Sequence, residues 1–234
     1  MDQGHCLVTG ANRGLGLEFV RQLLARGERV VATCRHPGRA TALNGLAGAH
    51  PGRLRVLPLD VASPRSIAEL AHELPLLDDA LSLKLLVNCA GVLHSGERFG
   101  AIEAAILEDS FRTNAMGPLL VTQALADRLA DGAKVANLSS VLGSIGSLAR
   151  FGTPSYDISK AAQNMATALL AKALAPRGIV VLALHPGWAR TDMGGDNATV
   201  PVAESVAGLL RVVDAAGPAD SGGFRDWRGE SLPW

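Results

Sequence analysis

The chain has 234 residues and a mass of 24.3 kDa, with 48% hydrophobic residues, which is enough for one α/β domain with a large core. Its 22 basic and 22 acidic residues cancel, so there is no electrostatic case for nucleic acid or an anionic membrane surface. Three cysteines and six histidines without metal-ligand spacing give no disulfide framework and no metal site.

Met1-Asp2-Gln3-Gly4-His5 leads straight into an apolar run with no signal-peptide pattern, and no apolar stretch approaches the ~20 residues a membrane span needs. With Cys6, Cys34 and Cys89 each in or just after an apolar run, a cytoplasmic protein with free thiols is expected.

The first predicted strand is Cys6-Leu7-Val8. It runs into Thr9-Gly10-Ala11-Asn12-Arg13-Gly14-Leu15-Gly16 and then a helix over residues 15–25, with Leu15, Phe19 and Leu23 at helical spacing. Strand, glycine-rich turn and helix together make a dinucleotide-binding loop. The glycines let the backbone approach a pyrophosphate, whose charge meets the helix N-terminus.

The second strand, residues 29–34, ends Ala32-Thr33-Cys34-Arg35. NAD-binding folds place a carboxylate there for the ribose 2′-hydroxyl. Here a guanidinium stands instead, and Arg13 in the glycine loop is placed to reach the same 2′-phosphate, so NADP(H) is the expected cofactor.

Further strands are predicted at residues 54–59, 84–88, 134–138 and 179–184. Helices are predicted at 64–74, 101–130 (broken near Gly117-Pro118), 155–175 and 202–213, and loops at 48–52 and 75–79. The alternation implies right-handed crossovers and a doubly wound, Rossmann-type parallel sheet in a single domain spanning residues 1–234. Asp60 ends the third strand, although Ser63 before Pro64 is the better helix cap. Asn88-Cys89-Ala90-Gly91 follows the fourth, where ligands of open α/β sheets bind. Asn114 lies inside a predicted helix, an unfavourable place for asparagine.

Tyr156 and Lys160 are one helical turn apart and share a face. An ammonium at ~4 Å in an effective dielectric of ~20 favours a phenolate by roughly 4 kcal/mol, about three pKa units before desolvation. That would bring the phenol into general acid/base range.

Thr9-Gly10-x-x-x-Gly14-x-Gly16, Asp60-Val61, Asn88-Cys89-Ala90-Gly91, Asn114, Ser139-Ser140, Tyr156-x-x-x-Lys160 and Pro186-Gly187 occur in the order and spacing of the short-chain dehydrogenase/reductase family, which the chain resembles from about residue 5 onward. The His185-Pro186-Gly187-Trp188 segment, Thr191-Asp192-Met193-Gly194-Gly195 and the Gly222-Gly223-Phe224…Leu232-Pro233-Trp234 tail are similar to the bacterial C-factor group and the sniffer-type carbonyl reductases.

The resemblance implies an NADP(H)-dependent oxidoreductase acting on a small carbonyl or alcohol substrate as a homodimer. It implies a catalytic set of Ser140, Tyr156, Lys160 and Asn114, with Asn114 supporting a water that links Lys160 to solvent. Gly10, Asn12, Arg13, Gly14, Leu15 and Gly16 would cradle the pyrophosphate, Arg35 the 2′-phosphate, and Asp60 and Val61 the adenine. Asn88, Ala90 and Gly91 would flank the ribose, Tyr156 and Lys160 the nicotinamide ribose, and Pro186, Gly187 and Thr191 the nicotinamide. The family's usual serine stands thirteen residues before the tyrosine, where this chain has Gly143; Ser140 lies sixteen before it on a longer loop, with Ser139 and Ser144 as lesser candidates. The C-factor likeness leaves a cofactor-binding signalling or regulatory protein as the alternative.

Overall fold

The computed structural model describes residues 4–77 and 81–234. Seven strands, β1 (His5–Val8), β2 (Arg29–Cys34), β3 (Leu54–Pro58), β4 (Leu83–Asn88), β5 (Leu129–Leu138), β6 (Val180–His185) and β7 (Phe224–Asp226), form one parallel sheet. Their order is β3-β2-β1-β4-β5-β6-β7. The direction of winding reverses between β1 and β4, which opens a crevice at the carboxyl ends of those two strands.

Side-chain alternation explains why both faces are covered. Cys6, Val8, Val30 and Ala32 turn to one face, where they pack with Phe19 and Leu23 of α1 (Gly14–Ala25), Leu43 of α2 (Thr41–Ala49), and Val206, Leu209 and Val213 of α7 (Val202–Ala215). Leu7 and Val31 turn to the other. There they meet Ile67, Leu70 and Leu74 of α3 (Pro64–Leu77), Val121 of α5 (Gly117–Ala124), and Leu170 and Leu174 of α6 (Pro154–Leu174). Strands buried on both faces read as unbroken apolar runs, which is how they appear in the sequence. Each fully buried Leu or Phe contributes roughly 1.5–3 kcal/mol, so the two cores hold the crevice on a rigid frame.

Four elements depart from the sequence reading. α2 is weakly patterned, with Asn44, Gly45 and Gly48 inside it. It forms because Leu43 is fully buried against the sheet, so of the expected loop 48–52 only residues 50–52 lie outside the helix. α3 continues through Pro75 to Leu77, where a loop was expected; Asp78 and Asp79 lie outside the described residues. The long helix expected over 101–130 becomes α4 (Ala104–Phe111), a π-helical turn (Arg112–Met116) and α5, and Leu129 and Ala130 already belong to β5. The expected break near Gly117-Pro118 has a plain cause: Pro118 has no N–H for the carbonyl of Asn114, and Gly117 donates five residues back to Arg112 O. β7 is a three-residue edge strand, too short to carry a periodic signal.

Candidate active site

The crevice is a cleft of about 560 Å³ along the carboxyl ends of β1, β2, β3 and β4. Gly10, Asn12, Arg13, Gly14, Leu15 and Gly16 form one wall, as the sequence predicts. Thr9 locks this wall to the next, because its Oγ1 accepts from Cys89 N (3.0 Å) and Ala90 N (3.1 Å). The approach is close enough to exclude side chains. A Cβ on Gly10, whose φ is +64°, would lie 2.7 Å from Ala90 Cα, and one on Gly16 would lie 2.3 Å from Gly10 O.

Arg35 lines the cleft beyond Cys34, and the structure adds His36 and Arg39, which the sequence reading missed. Asp60 and Val61 line the same end. Ser63 caps α3 by accepting from Ser66 N (3.2 Å), while Asp60 Oδ1 accepts from Ala62 N (3.0 Å). Arg13 is drawn the other way from its expected partner: its Nη1 donates to Asp192 Oδ2 (3.2 Å) across the mouth of the cleft. With both side chains largely in solvent (65% and 78%), this pair is weakly held and an anionic ligand can compete for the guanidinium.

Asn88 is not on the cleft. It is buried, and its Nδ2 donates to Asn137 Oδ1 (2.8 Å) and Thr122 Oγ1 (3.1 Å), so its role is to tie β4 to β5 and α5. Ala90 and Gly91 do line the wall, as does Thr191 opposite. Pro186 and Gly187 make the turn after β6 and are partly exposed. Ser205 Oγ donates to Pro186 O (2.6 Å), and Trp227 packs so closely that a Cβ on Gly187 would meet its Nε1 at 2.7 Å.

The four predicted catalytic residues converge just behind Gly91, where a Cβ would lie 3.2 Å from Asn114 Oδ1 and 4.0 Å from Lys160 Nζ. Tyr156, Lys160, Ser140 and Asn114 are all buried. The Ser140 hydroxyl lies beside Tyr156 and acts to lower its pKa, and its Oγ accepts from Leu142 N (3.1 Å) to start a 3₁₀ turn (Val141–Gly143). Position 143 has no room for a side chain, because a Cβ there would sit 2.6 Å from Lys160 C. Ser139 donates instead to Asn164 Oδ1 (2.6 Å), and Ser144 is engaged with Pro233 O (2.7 Å) and Ser147, so neither meets the tyrosine. Asn164 also donates to Gly143 O (3.2 Å) and so holds both ends of the Ser140 turn, a role without a sequence signal.

One expectation about electrostatics is corrected. Lys160 does not lower the Tyr156 pKa here. Its Nζ lies 5.6 Å from the ring centroid and donates to Leu138 O (2.6 Å) and Gln163 Oε1 (2.8 Å). Burial therefore dominates and pushes the phenol up to about 12, against the Ser140 hydroxyl, which lowers it. Tyr156 is thus a neutral O–H donor at ordinary pH. Burial pulls Lys160 down to about 8. Asn114, for its part, directs its side chain at the neighbouring loop rather than at Lys160. Its Oδ1 accepts from Val92 N (2.9 Å) and its Nδ2 donates to Val92 O (2.8 Å) and Ser159 Oγ (3.0 Å).

Glu97, also missed, receives Ser155 N (3.2 Å) and Ser155 Oγ (2.5 Å), holding the loop after β4 against the N-terminus of α6 beside Tyr156. Burial pushes the Cys89 thiol up to about 12, which removes it as a nucleophile, and pulls His185 down to about 4, leaving it neutral. Among the described residues no cluster could hold a metal ion, and no helix is long and apolar enough to cross a membrane.

Comparison with known proteins agrees with this geometry. The short chain dehydrogenase family model matches residues 4–200. C-signal of Myxococcus xanthus is 43% identical over 64% of this chain and 92% of its own length. The 1-hydroxy-2-glutathionyl-2-methyl-3-butene dehydrogenase of Rhodococcus sp. (strain AD45) is 34% identical over 97% of this chain and 98% of its own. The crystal structure of NADPH-bound carbonyl reductase from chicken fatty liver superposes with a TM-score of 0.94 at 38% identity, covering all of both chains. With the glycine cradle, the buried Ser140–Tyr156–Lys160 cluster and matches of this extent, the chain belongs to the short chain dehydrogenase family and is an oxidoreductase of that family.

Proposed function

We propose that the protein is an NADP(H)-dependent carbonyl reductase, working in the cytoplasm as a homodimer. The observation that carries the reading is the clustering of buried Ser140, Tyr156, Lys160 and Asn114 behind Gly91, at the end of a cleft with three arginines on its walls. The cleft fits the cofactor: the Gly10 and Gly16 cradle leaves backbone where a pyrophosphate would lie, and Arg35 and Arg39 meet a 2′-phosphate with no carboxylate at the end of β2. When bound, the dihydronicotinamide supplies a hydride equivalent.

The protein's part is to stabilise and protonate. Ser140 donates to the carbonyl oxygen as negative charge develops there, and Tyr156 gives that oxygen its proton. Lys160 holds the nicotinamide ribose and is the nearby ammonium from which the spent phenolate regains its proton. Asn114 fixes Val92 beside the site and supports the path by which Lys160 returns a proton from solvent. Three free thiols suit a reducing compartment. A signalling role without chemistry, raised by the C-signal match, is disfavoured by the intact catalytic cluster. The reading is tested by incubating the purified protein with NADPH and a panel of ketones and aldehydes while following nicotinamide absorbance; carbonyl-dependent loss of absorbance is expected, and none with any member contradicts it.

Arg35→Asp is expected to weaken NADPH binding by roughly 10- to 150-fold, since charge-assisted hydrogen bonds contribute about 1.5–3 kcal/mol. The same variant should shift preference toward NADH. An unmutated enzyme that used NADH as readily as NADPH at equal concentration would overturn the assignment.

Selectivity should be broad, because Leu142, Phe151 and Met193 are each about half exposed rather than closed over a deep cavity. Initial rates across the carbonyl panel check this, and one substrate preferred thousands-fold over close analogues contradicts it.

The homodimer rests on α6. Ala166 and Ala171 are buried, whereas Ile158, Met165 and Leu169 stand exposed on one side of the helix, a stripe suited to a second copy. Light scattering should give twice the chain mass; a monomer at micromolar concentration would refute it.

A further inference from the structure

Gln163 lies one turn beyond Lys160 on α6 and is completely buried. Its Oε1 accepts from Lys160 Nζ at 2.8 Å, while its Nε2 has no hydrogen-bond partner. A buried amide with one unsatisfied end is costly, and a glutamine present only for packing would be oriented to satisfy both ends. Here the orientation serves the ammonium alone, because turning the amide over would set its N–H groups against the lysine charge. Lys160 has three N–H donors. Leu138 O (2.6 Å) and Gln163 Oε1 take two of them, leaving one at an ammonium positioned behind Gly91, the residue that lines the cleft.

We propose that Gln163 is a positioning residue for the reaction: it anchors the Lys160 ammonium, keeps it charged inside the protein, and reserves its remaining N–H for the cofactor ribose. This rests on the reading of Lys160 as the ribose-holding residue.

The surroundings make the acceptor consequential. Tyr156 on the same helix and the Cys89 thiol after β4 are the titratable groups beside Lys160, and burial pushes both up to about 12. α4 carries Glu108 and Asp109 at exposed positions, and the π-helical turn carries Arg112, also exposed. β6 ends in His185, which burial keeps neutral. β5 and the 3₁₀ turn offer the Leu138 carbonyl and Ser139 and Ser140 hydroxyls, and α5 brings no ionisable side chain. Among the described residues no carboxylate is hydrogen-bonded to the ammonium, and neutral oxygens hold it. Burial draws Lys160 down to about 8, and the Gln163 oxygen, by bonding the charged form, opposes that fall.

The test is NADPH affinity of the full chain measured on both sides of pH 8, in wild type, Gln163→Met and Gln163→Glu. In wild type the affinity should fall as pH rises through the Lys160 pKa, since the cation is lost. Gln163→Met keeps the volume but has no oxygen acceptor, and should move that midpoint down by about one pH unit. Gln163→Glu places a carboxylate beside the ammonium and should move it up, which carries the test if the methionine variant does not fold. A purely structural glutamine would change melting temperature and weaken binding equally at every pH. A wild-type midpoint left unmoved by both variants overturns the Gln163 role alone. No pH-dependent fall in wild type overturns the role of Lys160, and that of Gln163 with it.

Discussion

Tyr156→Phe is expected to lower kcat by about 10²–10⁴-fold, the range for loss of a positioned general acid, while leaving NADPH affinity nearly intact. The substitution removes one hydroxyl and keeps the ring, so the packing around a residue that is 8% exposed is preserved. Because burial holds the phenol near 12, Tyr156 is a protonated donor throughout the neutral range, which suits carbonyl reduction. Alcohol oxidation needs the phenolate, so that direction should strengthen as pH rises. The variant should therefore be as deficient at low pH as at neutral pH. Steady-state kinetics over a pH series checks this, and retention of more than about a tenth of wild-type kcat contradicts the role, given the lower bound for such groups.

Ser140→Ala should cost roughly 10²–10³-fold in kcat by analogy with loss of one oxyanion donor. The change also removes the acceptor for Leu142 N, so part of the loss comes from a looser 3₁₀ turn beside the phenol. Ser144→Ala provides the contrast. It breaks the link between the loop and Pro233 O, a contact that does not involve Tyr156, and should raise KM more than it lowers kcat. Comparing the two variants side by side decides the register: were Ser144→Ala the crippling change, the hydroxyl at 140 would not be the one facing the carbonyl.

Much of this site is legible in the amino-acid sequence because its signals are local. The glycine loop, Asp60-Val61, Ala90-Gly91 and the Tyr156–Lys160 pair each follow from a strand end or a single helical turn, and the structure puts them around one cleft or directly behind it. What was not legible depends on long-range packing. Asn88 sits at a strand end like its neighbours, yet its side chain turns inward to Asn137 and Thr122, and only the pairing of β4 with β5 dictates that. The expected drop in the Tyr156 pKa failed because one-turn spacing says nothing of burial, or of Leu138 and Gln163 as rival partners for the ammonium. Gln163, Asn164 and Glu97 carry no motif and are recognised only by what they bond. α2 was missed because one buried leucine, rather than a periodic stripe, holds it.

The most direct measurement uses NADPH deuterated at the transferable C4 position, with the protein and a ketone, and the mass of the alcohol formed. Hydride delivery from the nicotinamide to the carbonyl carbon, with the proton coming from Tyr156, predicts one deuterium on the carbinol carbon and none retained at the hydroxyl, which exchanges with water. Tyr156→Phe should form that product far more slowly. Alcohol without carbon-bound deuterium, or no alcohol at all while NADPH still binds, would contradict the account.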